Sequence, residues 1–204
     1  MLSEFGGLWP FETLTPMKYG AILCDPPWAY VMRSEKGHAK SPEAHYGTMS
    51  PDELAALPVG QLAGPDCLIF MWSTWPHMKI AQQLLEDWGF AYITGGSWNK
   101  RGRSGKAMVG TGYFLRSSCE PFLVGKIGRP SPGSHSVTNL IDAAEIPDTI
   151  EALRREHSRK PAEMREMIEQ LLPRAYCCEL FAREPWPGHD VWGDETTKFA
   201  EAST

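Results

Sequence analysis

The chain has 204 residues, a formal net charge of −5, and 42% hydrophobic, 22% charged and 11% aromatic residues. That length suits one domain, residues 1–204, with a substantial core. The composition excludes a low-complexity chain, and the acidic balance argues against indiscriminate binding to nucleic acid. No apolar run approaches the roughly 20 residues that span a bilayer, so no membrane partner is expected. Met1–Phe5 lacks the basic and apolar regions of a signal peptide. Cys24, Cys67, Cys177 and Cys178 lie in or beside apolar runs without a C-x-x-C pair. Reduced core thiols are therefore expected, with no metal site, and a cytoplasmic location.

In chain order, Tyr19–Cys24 is a short apolar run closed by a proline pair and is expected to be a buried strand. Ser50, Pro51, Asp52 and Glu53 form a helix start, with a capping hydroxyl, proline at the first position and early acids. Cys67–Trp72 is a second strand, followed by a helical stripe of Ile80, Leu84, Leu85 and Trp88 that Gly89 ends. Ala91–Trp98 and Glu120–Gly125 are expected as further strands, Pro161–Leu172 as a helix, and Tyr176–Phe181 as a last buried strand. The alternation implies an α/β fold, a mostly parallel sheet with helices on both faces. Ligands of such sheets bind outside the carboxyl ends of the strands, where Asp25 and Glu179 fall. Two long loops, 29–45 and 100–116, have the character of binding loops. Asn99–Ser118 carries Lys100, Arg101, Arg103, Lys106 and Arg116 with no acid, and Arg154–Lys160 is a second basic cluster. Each is either a solvated loop or a local phosphate contact.

The chemistry is clearest at Asp25-Pro26-Pro27-Trp28. An adenine amino group is a poor nucleophile because its lone pair is delocalised into the ring. Two hydrogen-bond acceptors at a fixed separation, with no competing donor, would let it become tetrahedral as it attacks. Asp25 supplies one acceptor and the Pro26 carbonyl the other, while the prolines contribute no N–H. Trp28 offers an aromatic face to a base removed from its stack. The alternative is a plain strand-ending turn. Lys160-Pro161 opens a helix, with Lys160 as its cap, and the lysine with the free helix N–H groups makes a seat for a carboxylate. The histidines, among them His77 and His189, show no metal-ligand spacing and read mostly as surface residues.

The sequence resembles the adenine-N(6) methyltransferase family that contains the catalytic subunit of the mRNA adenosine methyltransferase and many bacterial and phage DNA-modifying relatives. The markers are Asp25–Trp28, His45–Ser50, Leu68–Trp72, Ser97–Lys100, Gly110–Phe114, Glu120–Gly125, His157–Pro161, Glu179–Arg183 and Trp192–Glu195. They cover about residues 9–195. The resemblance implies a Rossmann-like class I methyltransferase in circularly permuted order, with S-adenosyl-L-methionine as cofactor and the catalytic corner Asp25, Pro26, Pro27 and Trp28. It implies a cofactor side of Asp25, Lys160, Glu179, Phe181, Arg183, Asp194 and Glu195, with Phe11 as the far wall of the adenine pocket. It also implies an acceptor side of Tyr46, Trp98, Lys100, Arg101, Arg103 and Glu120. A glycine-rich cofactor loop is absent after Phe181. Relatives of the mRNA enzyme carry His-Asn after the arginine and Asn-Gln near the end, where this chain has Pro185-Trp186 and Asp194-Glu195. The expected activity is adenine methylation of DNA, favoured over RNA as partner, by a homo- or hetero-oligomer or a single chain. RNA adenosine methylation and a catalytically silent nucleic-acid-binding subunit are the alternatives; the intact Asp25–Trp28 speaks against the last.

Overall fold

A computed structural model describes residues 9–29, 47–101, 109–110, 114–133, 149–153, 160–194 and 196–198. Tyr46, Arg103, Lys106 and Glu195 lie outside the described residues, as do nearly all of the 29–45 loop and Arg154–Arg159.

Seven strands are described: β1 Tyr19–Cys24, β2 Ala63–Trp72, β3 Ala91–Arg101, β4 Cys119–Ile127, β5 Thr149–Leu153, β6 Cys177–Leu180 and β7 Asp190–Trp192. The sheet order is β5-β3-β4-β2-β1-β6-β7. Six strands run the same way, and β4 opposes its neighbours β2 and β3. The expected α/β sheet is thus present, with one antiparallel strand and two short parallel edge strands, β5 and β7, that the sequence reading passed over.

Three helices are described: α1 Pro51–Ala56, α2 Met78–Asp87 and α3 Glu163–Leu171. The α1 start is a reciprocal capping box, in which the Ser50 hydroxyl accepts from Glu53 N–H and the Glu53 carboxylate accepts from Ser50 N–H. Gly89 ends α2 in the left-handed region at φ +84. Along α2, Ala81, Leu84 and Leu85 are buried, whereas Ile80 of the expected stripe lies on the exposed edge.

Successive strand residues face opposite sides of the sheet, and the core divides accordingly. Ile22, Cys24, Ile69, Met71 and Cys178 pack with Leu54 of α1 and Leu84 of α2. Ala21, Leu23, Phe70, Trp72 and Phe122 pack with Met164, Met167 and Ile168 of α3 on the other face. The four expected core thiols are free and buried, and burial raises each of them well above the ordinary thiol range. Among the described residues no helix is long and apolar enough to cross a membrane.

Candidate active site at the carboxyl ends of β1 and β6

From β1 the chain continues into α1 on one face, whereas β6 is reached from α3 on the other. The carboxyl ends of the adjacent strands β1 and β6 therefore flank a switch point, the usual position of a ligand crevice in such sheets. Asp25 leaves β1 there, and its N–H donates to the Leu180 carbonyl at 3.4 Å. Backbone bonds then fold the proline pair into a corner. Trp28 N–H donates to the Pro26 carbonyl at 2.8 Å, and Met49 N–H donates to the Pro27 carbonyl at 2.9 Å. A carbonyl oxygen has two lone pairs, so Pro26 keeps one for an incoming donor.

Trp28 differs from expectation. Its ring is 6% exposed and stacks on His77, with centroids 5.4 Å apart at 17°. His77 is itself buried, held by the Thr74 hydroxyl at 2.7 Å and near the Ala29 carbonyl at 3.3 Å. The indole is thus a buttress of the corner rather than an open stacking face, and His77 is no surface residue. The segment after β2 folds back over the corner and brings the imidazole onto the ring.

Beside Asp25 runs a ladder of alternating charge. The Lys160 ammonium lies 2.6 Å from Asp25 and 3.7 Å from Glu120, and Lys100 pairs with the other oxygen of Glu120. Lys160 rests over the Trp72 ring at 5.8 Å and Lys100 over the Trp98 ring at 5.0 Å. Burial works to raise the Glu120 carboxyl, but the two ammonium groups hold it below the usual carboxylate range. Lys160 does not cap α3. The Pro161 and Ala162 carbonyls accept the first helix N–H groups, and the lysine reaches back to the sheet instead. Lys100 likewise points into the ladder, and Arg101 ends β3. Trp98 is 2% exposed and packs edge-on against Trp72, so it belongs to the core and offers no acceptor surface. Among the described residues the indole N–H groups of Trp28 and Trp72 are buried without a hydrogen-bond partner.

At the β6 end, Glu179 is 7% exposed and sits within the strand. Arg165 of α3 pairs with it: Nε and Nη2 both lie 2.7 Å from one carboxylate oxygen. Burial pushes the Glu179 carboxyl up to about 7 in spite of that guanidinium. Arg165 also donates to the Pro185 carbonyl at 2.9 Å and the Glu184 carbonyl at 3.1 Å. The turn after β6 has no glycine, and Phe181 itself takes the left-handed conformation at φ +60, at a cost of about 1–3 kcal/mol. Phe181 packs edge-on against Trp192 at 5.4 Å, and Phe11 meets the same ring at 5.1 Å. Phe11 is fully buried, so it backs this aromatic group instead of lining an open wall. Ala182 N–H donates to the Trp192 carbonyl at 2.9 Å, and a Cβ on Gly193 would meet the Ala182 backbone at 2.7 Å. Arg183 is half-buried on the turn, and Asp194 is exposed just beyond β7.

The structure thus gathers Asp25, Lys160, Glu120 and Lys100 into one cluster, with Glu179, Phe181 and Arg183 on the neighbouring strand end. The sequence reading missed Arg165, His77 and Trp186. One faint signal was available for the first: Arg165 and Glu169 stand four residues apart beside the Met164–Ile168 stripe, and Trp186 N–H donates to Glu169 at 2.7 Å. Among the described residues no group of three His, Cys, Asp or Glu could hold a metal ion.

The MT-A70 family model matches residues 19–195. The chain is 38% identical over 171 residues to "N(6)-adenosine-methyltransferase MT-A70-like" of Arabidopsis thaliana, covering 81% of this chain and 22% of that protein. It is 32% identical over 203 residues to "Type II methyltransferase M.MunI" of Mycoplasma sp, covering 91% of this chain and 81% of that protein. To the human "N(6)-adenosine-methyltransferase catalytic subunit METTL3" it is 30% identical over 172 residues, covering 81% of this chain and 26% of that protein. The chain therefore spans about a quarter of the plant and human relatives but most of the bacterial one.

Proposed function

We propose that this chain, which belongs to the MT-A70 family, is an S-adenosyl-L-methionine-dependent methyltransferase acting on the exocyclic amino group of adenine in DNA. The observation that carries this reading is the position of Asp25, on a donor-poor proline corner at the β1/β6 switch point and 2.6 Å from Lys160. DNA is preferred to RNA because the resemblance to M.MunI extends over most of both chains.

The donor set suits the cofactor. A carboxylate and an ammonium side by side at the strand ends complement a zwitterionic amino-acid group. The β6 end, with Phe181 and Arg183, would take the nucleoside, and Asp194 just beyond β7 would serve its hydroxyls, the role the resemblance also gives to Glu195. When bound, S-adenosylmethionine supplies a methyl group on a sulfonium centre. Everything else falls to the chain. Asp25 and the free lone pair of the Pro26 carbonyl accept hydrogen bonds from the two N–H groups of the amine and orient its lone pair; no covalent enzyme intermediate is needed, so proximity and orientation supply most of the rate. Tyr46 and the basic residues Lys100, Arg101 and Arg103 belong to the acceptor side, with Glu120 holding Lys100 and Lys160 in register.

The test is direct. The protein is incubated with labelled S-adenosylmethionine and unmethylated duplex DNA, single-stranded DNA or RNA, and the digested nucleosides are identified. N6-methyldeoxyadenosine is expected. A signal only in RNA would move the substrate to RNA adenosine, a signal on cytosine would overturn the base, and none on any polymer would overturn the activity.

A further inference from the structure

The turn that follows β6 is held from both sides by residues that play no part in the chemistry above. On one side β7 grips it, through the Ala182 to Trp192 hydrogen bond and the close seat of Gly193 on the Ala182 backbone. On the other side stands α3. Arg165 places its fork on the Glu179 carboxylate and on the carbonyls of Glu184 and Pro185, and lies over the Trp186 ring at 5.6 Å. One turn further along α3, Glu169 accepts the Trp186 N–H. Between the two grips lie Phe181, in its left-handed conformation, and Arg183.

We propose that Arg165 is a positioning residue for the cofactor site, holding the Phe181–Pro185 turn in the shape that receives the ribose end of S-adenosylmethionine. This rests on the reading of the β6 end as the cofactor side. Three observations separate it from an ordinary structural ion pair. Neutralising Glu179 would take one contact, yet Arg165 spends further donors on two consecutive carbonyls of the turn. Those carbonyls have the geometry only a planar five-donor group can serve together with the carboxylate. The turn also contains no glycine from Phe181 to Pro187, so a left-handed phenylalanine persists only because its surroundings over-determine it. In a glycine-rich cofactor loop the backbone reaches such conformations unaided. Here side chains from α3 take that part, and the site is shaped before the ligand arrives.

Two variants test this. Arg165→Lys keeps a positive charge opposite Glu179 but cannot also reach both carbonyls. The double variant Arg165→Met/Glu179→Gln removes the pair without leaving a buried charge. Calorimetry with S-adenosylhomocysteine and with 5′-methylthioadenosine, which lacks the amino-acid end, is set beside thermal unfolding and amide exchange over 181–186. The expected result is a thermal midpoint close to wild type, faster exchange across the turn, and both ligands weakened by the same factor, on the order of tenfold as the competent conformation becomes a minor one. In Arg165→Lys, which leaves Glu179 in place, the kcat at saturating donor stays within about twofold. Wild-type affinity in variants whose turn exchanges faster overturns the role of Arg165, as does an affinity loss that merely follows unfolding. A wild-type protein that binds neither ligand overturns the cofactor reading itself.

Discussion

The β1 end and the β6 end of the site both join a basic side chain of the α3 region to a carboxylate, at Asp25 just past the strand and at Glu179 within it, and they do it differently. At β1, Lys160 meets Asp25 through single atoms, both side chains keep 20–23% of their surface exposed, and Glu120 stands by as a second partner. At β6, Arg165 and Glu179 keep only 14% and 10%; the Glu184 carboxylate lies 3.8 Å away as a second partner, and the arginine also donates to the main-chain carbonyls of Glu184 and Pro185. A point-charge lysine has no fixed plane of donors, so it can exchange one carboxylate for the other when a ligand arrives. A forked arginine that is also bonded to two main-chain carbonyls cannot do so cheaply. On the proposed reading the crevice has a rearrangeable wall at Asp25 and a fixed one at Glu179, and the difference follows from lysine against arginine and from partial exposure against burial.

The sharpest break in that comparison is kinetic. Asp25→Ala should lower methyl transfer by on the order of 10²–10³-fold or more, while donor affinity by calorimetry weakens only moderately; retained turnover would remove Asp25 from the chemistry. Stability separates the two ends next. In urea denaturation at pH 8, Arg165→Met should cost about 3–5 kcal/mol because it strands a buried carboxylate, and Lys160→Met about 1 kcal/mol or less because its pair is partly hydrated. Equal costs would erase the distinction. A third test uses pH. Glu179 titrates near 4.5 when unfolded and at about 7 when folded, so between those values the folded state holds the extra proton. Its contribution to stability is therefore full at and below about pH 4.5 and is lost as pH rises through 7. A pH series of denaturation midpoints should show Glu179→Gln lacking that decline, whereas Glu120→Gln loses a contribution of opposite sign, present above the unfolded pKa and lost in acid. The smallest effect is expected at the rim: Lys100→Ala should raise the KM for the nucleic-acid acceptor a few-fold and reduce its salt slope by about one. If neither parameter moves, Lys100 serves the ladder alone.

Much of this was legible in the residues, for local reasons. Tyr19–Cys24 declares a buried strand by its apolar run and proline stop, and Asp25 lands at its carboxyl end by adjacency. Ser50 and Glu53 satisfy each other three residues apart, so the start of α1 needs no tertiary help. The strands β2, β3 and β4 and the helix α3 likewise announce themselves within one window of sequence. Their order alone yields the α/β class and, with the motifs, the family.

What only the tertiary structure decided depends on partners distant in the chain. The edge strands β5 and β7 are five and three residues long, too short to show periodicity, and exist through pairing with β3 and β6. Trp28 and Trp98 look like stacking surfaces as residues, but burial is a property of what covers them, and His77 and Trp72 do so from elsewhere. Lys160 reads as a helix cap until Asp25, 135 positions away, appears opposite it. Arg165 carried no motif, since its worth lies in reaching a strand and a turn that are neighbours only after the sheet has formed. The sequence by itself thus determined that a donor-poor corner with a carboxylate ends β1, because that is written in four consecutive residues. The division of the crevice into a labile wall and a fixed one arose from long-range packing and burial, which no local pattern encodes.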